Sequence, residues 1–128
     1  MAHLSPAHLQ CMTCNCPAEA VTDAVLGFAR VDMKLFRIDI IAQDVNASYT
    51  SGTIALEYDD GASGADTAID TLTLTTPALS VSSEIATFDL TSGIIPQGSR
   101  ILATVATLTG ISENFLTIHL WFVPGVAR

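Results

Sequence analysis

The residues best suited to chemistry crowd the first sixteen positions. His8-Leu9-Gln10-Cys11-Met12-Thr13-Cys14-Asn15-Cys16 holds an imidazole and all three cysteines of the chain. Thiolates and imidazole are zinc ligands, and Cys11 and Cys14 make one Cys-x-x-Cys step. His8, Cys11, Cys14 and Cys16 are therefore the candidate metal set, with zinc the candidate cofactor. The second half of a four-ligand site is missing, and Cys14-x-Cys16 is tighter than a zinc knuckle ordinarily uses. Two alternatives stand beside it. One is a metal or disulfide shared between copies, since an odd cysteine count leaves a thiol over. The other is a set of reduced thiols holding nothing, and the spacing favours this last reading. A thioredoxin-type role fits less well, because the motif does not open a helix after a strand.

The remaining candidates are weaker. Asp59, Asp60 and Asp66 offer oxygen ligands to calcium, but they lack the EF-hand pattern, and the intervening glycines suit a solvated hairpin loop. His119 sits between Ile118 and Leu120 with no Ser nucleophile signature and no evident acid partner, which favours a packed or interface histidine over a catalytic base. Gly61-Ala62-Ser63-Gly64 lacks the Gly-Lys-Ser/Thr ending of a phosphate loop. Arg100 reads as a strand-end charge that stays in water. With no catalytic constellation, the chain is expected not to be an enzyme, and its function is sought on its surfaces.

Composition narrows those surfaces. The 128 residues are 49% hydrophobic and only 14% charged, where about 25% charged is usual. A surface so poor in charge points to partners that cover it. Five basic against thirteen acidic residues give a net charge of -8, with Lys34 the one lysine. Nucleic acid and anionic membrane both need a Lys/Arg footprint, so neither is an expected partner. No apolar run approaches the roughly 18 residues of a membrane-spanning helix. Met1 to Gln10 has no basic and then apolar region of the kind that directs export, which predicts synthesis and retention in a reducing cytoplasm.

The elements that must position these groups are strands. Residues 1–17 show no sustained period and read as an extended N-terminal arm, leaving 18–128 as one domain. Glu19 to Val31 is ambiguous between a helix and a first strand, with Gly27 against the helix. From Leu35 onward, period-two alternation recurs with turn residues between runs: Leu35–Ile41, Thr53–Tyr58, Ile69–Thr76, Glu84–Leu90, Ile101–Thr109 and Asn114–Val123. That is an all-β, antiparallel sandwich or barrel. The expected core is Phe36, Ile38, Ile40, Ile54, Leu56, Leu72, Leu74, Phe88, Ile101, Leu116, Ile118 and Leu120. In the last run, Leu116, Ile118, Leu120 and Phe122 share one face, while Phe115, Thr117, His119 and Trp121 share the other. A water-facing strand face is normally polar. Phe115, His119 and Trp121 are therefore the candidate interface, covered by another part of the chain or by a neighbour.

Ile95-Pro96-Gln97-Gly98-Ser99-Arg100-Ile101-Leu102, followed by Leu116-Thr117-Ile118-His119-Leu120-Trp121-Phe122-Val123-Pro124, resembles the small β-sandwich decoration, or cement, proteins of tailed-bacteriophage heads. In those proteins a Pro-x-Gly turn leads into a long strand, and the chain ends on a Leu-x-Ile/Val-x-Leu strand. Phe28-Ala29-Arg30-Val31 and Phe36-Arg37-Ile38-Asp39-Ile40-Ile41 fit the same layout, so the resemblance covers about Phe28 to Pro124 and excludes the cysteine-rich arm. It implies a jelly-roll-like domain that binds the outer lattice of the major capsid protein, often as a homotrimer, and reinforces the head. The virion exterior is the implied location, after assembly in the host cytoplasm. The alternative is a carbohydrate- or receptor-binding β-sandwich module of a phage tail or other appendage. Against it stand an aromatic content of 6% and a single Trp, since a sugar binder should expose a cluster of aromatics.

Overall fold

Alternating apolar and polar positions settle into strand wherever the chain is described. The computed structural model describes residues 9–42, 51–62, 64, 66–75, 85–89, 94–106 and 115–125. Among them are nine strands and no helix: β1 (Gln10–Pro17), β2 (Val21–Phe28), β3 (Met33–Ile41), β4 (Ser51–Asp59), β5 (Thr67–Thr75), β6 (Ile85–Asp89), β7 (Ile94–Ile95), β8 (Arg100–Ala106) and β9 (Phe115–Pro124).

The pairing is nested. β4 pairs with β5, β3 with β6 and β7, β2 with β8, and β1 with β9, every pair antiparallel. The chain is thus one long two-ply ribbon doubled back at β4 and β5. Winding the ribbon on itself brings β9 against β3 and β8 against β4. Two sheets result, β1-β9-β3-β6 with β7 also on β3, and β2-β8-β4-β5. This is the strand order of a jelly roll, which matches the expected all-β antiparallel sandwich.

The sheets bury one face each. Leu116, Ile118 and Leu120 of β9 are fully buried, flanked in their own sheet by Leu35, Ile38 and Ile40 of β3 and Cys14 and Cys16 of β1. Across the sandwich lie Ile54 and Leu56 of β4, Leu72 and Leu74 of β5, and Ile101, Ala103 and Val105 of β8. One expected core residue is displaced. Phe36 is only half-buried, and Leu35 takes the inward place. The pairing of β3 with β9 shifts register between Leu35 and Arg37, so Phe36 is the extra residue of a bulge. A bulge changes which alternate residues face inward. The side chain of Phe88 falls outside the described residues.

A second correction concerns the arm. Residues 10–17, assigned to it by sequence, form β1 and pair residue for residue with β9. Only the first eight residues lie outside the described ones. The ambiguous segment after it is strand as well, β2, interrupted by two register shifts. At Gly27 the terminal methyl of Met12 on β1 lies where a side chain would start, so a larger residue would require that flexible methionine to shift. The Pro96-x-Gly98 turn forms as a type II turn, with the Ser99 amide donating to the Pro96 carbonyl at 3.1 Å and Gly98 at φ 88°. The Asp32 carboxylate accepts from the Gln97 amide at 2.9 Å, and the Asp32 carbonyl accepts from the Gly125 amide at 3.0 Å, so one residue ties the turn before β8 to the end of β9.

Because Ile118 is fully buried on the central strand, Ile118→Ala should lower unfolding free energy by about 2–5 kcal/mol, read from the urea midpoint.

Candidate interaction surface

The outer face of the β1-β9-β3 sheet holds a side-chain network built around Trp121. Alternation on β9 aims Phe115, Thr117, His119 and Trp121 outward. Trp121 stands between Cys11 on β1 and Arg37 on β3, and His119 between Thr13 and Asp39. Trp121 Nε1 donates to Asp39 Oδ2 at 2.9 Å. The Arg37 guanidinium lies over the indole, 5.0 Å from its centroid. Arg37 Nη2 donates to the same carboxylate at 3.4 Å, and its Nε lies 3.3 Å from Oδ1 without hydrogen-bond alignment. His119 meets the indole edge to face, with centroids 6.3 Å apart. Trp121 is therefore half-buried by its own chain, and Arg37 occupies a ring face that a sugar would need. Of the three candidate interface residues, Phe115 is the one left open, at 57% exposure.

The candidate metal ligands do not converge. Strand alternation puts Cys11 on the outer face, while Cys14 and Cys16 point into the core at 4% and 0% exposure. His8 lies outside the described residues. Burial pushes the Cys14 thiol up to about 11, with the nearby Cys11 adding to the shift, and the Cys16 thiol up to about 12, with Cys14 adding. Cys11 is also raised, chiefly by desolvation; a Thr13 hydrogen bond lowers it in part, and the smaller effects of the Asp39 and Arg37 charges oppose each other. All three are protonated at neutral pH, a poor state for a nucleophile or a metal ligand.

The acidic loop is used structurally. Asp59 Oδ1 accepts from the Gly61 amide at 2.9 Å, and Asp60 Oδ1 accepts from the Ala62 amide at 2.9 Å, as Asx turns do. Asp59 also pairs with Arg100, whose hydrogen bond is the first cause holding the Asp59 carboxyl below the usual range. Asp66 leaves this group. Among the described residues it meets Asp23 and Glu57, with carboxylate oxygens within 4.8 Å of one another. Those three come from β2, β4 and the segment before β5, so no spacing in the sequence brings them together. Their repulsion is offset in part by Arg100, which feels both Asp66 and Asp23.

Sequence reasoning named Phe115 but missed the rest of the apolar flank. The exposed large hydrophobics among the described residues are Leu9, Val25, Phe28, Val31 and Phe115. All lie along the side where β1 and β2 form the margins of the two sheets. Two grooves mark its ends. One, of about 290 Å³, is lined by Met12, Phe28, Arg30, Val31 and Phe122 near the start of β1. The other, of about 490 Å³, is lined by Pro17, Glu19, Val21 and Phe115 near its end. Phe28 and Val31 were visible in the sequence, but nothing in a strand period says that a turn residue will be left uncovered.

Two outcomes follow. In a double-mutant cycle, Arg37→Ala and Trp121→Ala should show a coupling of about 0.5–1 kcal/mol in unfolding free energy, the size of a partly exposed cation–π contact. The buried thiols set an alkaline limit. An ordinary thiol ionises near 9.0, so above that pH the unfolded chain loses protons that the folded chain keeps up to about 11 and 12. The thiols' contribution to stability is thus complete below pH 9 and is lost as pH rises from there, and Cys14→Ala with Cys16→Ala should flatten the decline in thermal melts.

Set against known families and curated proteins, the chain matches no family model and no curated sequence.

Proposed function

We propose that this chain is a non-enzymatic structural subunit of a tailed-phage head, a decoration protein that binds the outer lattice of the major capsid protein and stabilises the shell. The observation that carries this reading is the apolar flank. Leu9, Phe28, Val31 and Phe115 are each more than a third exposed and gather on one side of a domain whose charged residues are few. Exposed apolar side chains grouped at both ends of one margin mark contact with other macromolecules, the lattice or a second copy of the chain. The jelly roll supports the reading without deciding it, because capsid proteins and lectins both use that architecture. The chemistry of the described groups agrees. The Cys11 thiol is protonated, and the mapped ring contact of His119 is with the edge of Trp121 rather than with a nucleophile. The virion exterior is then the working location, reached after assembly in the host cytoplasm, and self-association accompanies capsid binding.

A sugar-binding role would require an open aromatic platform, and Arg37 covers the indole that would supply it. The experiment is the particle with which the native chain co-purifies. Recovery on capsid shells in a saturating ratio, with a rise in the temperature at which the shells open, is expected. A free chain that binds a glycan array and has no affinity for shells would overturn the reading.

A further inference from the structure

Two sheets have four margins, and three of them are blunted against pairing with another chain. β2 is broken by two register shifts and carries Asp23 at φ 54°. β5 carries the exposed Asp70 and a register shift beside it. The third margin is divided between β6, of five residues, and β7, of two. These are the devices by which natural sheets avoid edge-to-edge association. β1 uses none of them along its length. Its eight residues, Gln10-Cys11-Met12-Thr13-Cys14-Asn15-Cys16-Pro17, carry no charge, its register with β9 is unbroken, and its one proline is the last residue. Among the described residues no strand pairs with its other side.

We propose that β1 is an assembly edge whose occupant is β1 of a second copy, antiparallel across a two-fold axis. The occupant follows from charge and from the two grooves. Each copy has a net charge of -8, so two copies repel unless they meet along an uncharged strip, and β1 is such a strip. An antiparallel pair sets the start of one β1 beside the end of the other. The start of β1 has the exposed Arg30 at its groove, with Phe28 and Val31. The end has the exposed Glu19 at its groove, with Phe115. Pairing the strands therefore brings Arg30 to the Glu19 of the other copy and the exposed aromatics together, and the two-fold repeats both contacts. Parallel pairing would set Arg30 against Arg30 and Glu19 against Glu19. Each first sheet would continue into its copy through backbone hydrogen bonds, with opposite charges fixing direction at both ends.

The contact goes beyond the capsid reading and does not rest on it, since it is tested on the free chain in solution. It sets the copy number at two, where the resemblance to decoration proteins implies three. Sedimentation equilibrium on the full chain should give a two-chain mass. Arg30→Glu alone and Glu19→Arg alone each place like charges at both ends and should weaken association at least tenfold, with unchanged circular dichroism. Mixing these two single variants should restore a two-chain species, because every end contact is then complementary, and the double variant should pair as well as the original. Thr13→Lys, which puts a charge on the edge itself, should give single chains. A one-chain or three-chain mass for the original protein, or failure of the mixed single variants to associate, would overturn the proposal.

Discussion

β9 is the constraint on which the rest depends. It is flanked on both sides in its sheet, by β1 and by β3, and its inward residues Leu116, Ile118 and Leu120 are fully buried. Because a strand's side chains alternate strictly, the register of β9 decides the faces of its two neighbours at once. On β1 it turns Cys14 and Cys16 inward and Cys11 outward, which separates thiols that the spacing alone could have grouped. On β3 the same register has to be kept while the strand accommodates one residue too many, and Phe36 is the residue left over.

The outer face of β9 obeys the same logic with different chemistry. Large side chains there would be a liability in water, and the sheet answers with its own neighbours. Arg37 spreads over Trp121, and Asp39 receives both the indole and the guanidinium. An exposed ion pair alone contributes little. Shared among an aromatic face, a ring N–H and a carboxylate, the charges become part of a cover. Phe115, at the end of the strand and opposite Pro17, has no such arrangement, and it belongs to the apolar flank instead.

How much of this was legible follows from the range of each determinant. The strands with strong alternation, β3, β4, β5, β6, β8 and β9, could be read from neighbouring residues, as could the sandwich class. β1 could not, since Cys, Asn, Gln and Thr give no clear apolar stripe, and its stability comes from a partner about a hundred positions away. β2 hid behind its bulges and Gly27, which packs beneath a methionine from another strand. Turn chemistry was local and therefore visible, as at Pro96-Gln97-Gly98. The grouping of Asp23, Glu57 and Asp66 was not, because three separate segments supply one carboxylate each. For the same reason only Phe115 of the open flank could be found by sequence, since exposure is decided by what packs elsewhere.

The nested ribbon also orders events in time. Of the described strands, β1 is the first to leave the ribosome, and β9, its partner, is the last. At synthesis rates of roughly 5–20 residues per second, the intervening stretch takes on the order of 5–20 s. Throughout that interval the regular, uncharged strand exists without the neighbour that will hold it, and the inner pair β4 and β5 can close first because its connection is short. Final closure of the domain therefore coincides with the capture of its oldest strand by its newest. A nascent chain whose first strand is taken by another chain before β9 arrives would be left with its central strand half-paired, so production of this domain is most exposed to error at high local chain density.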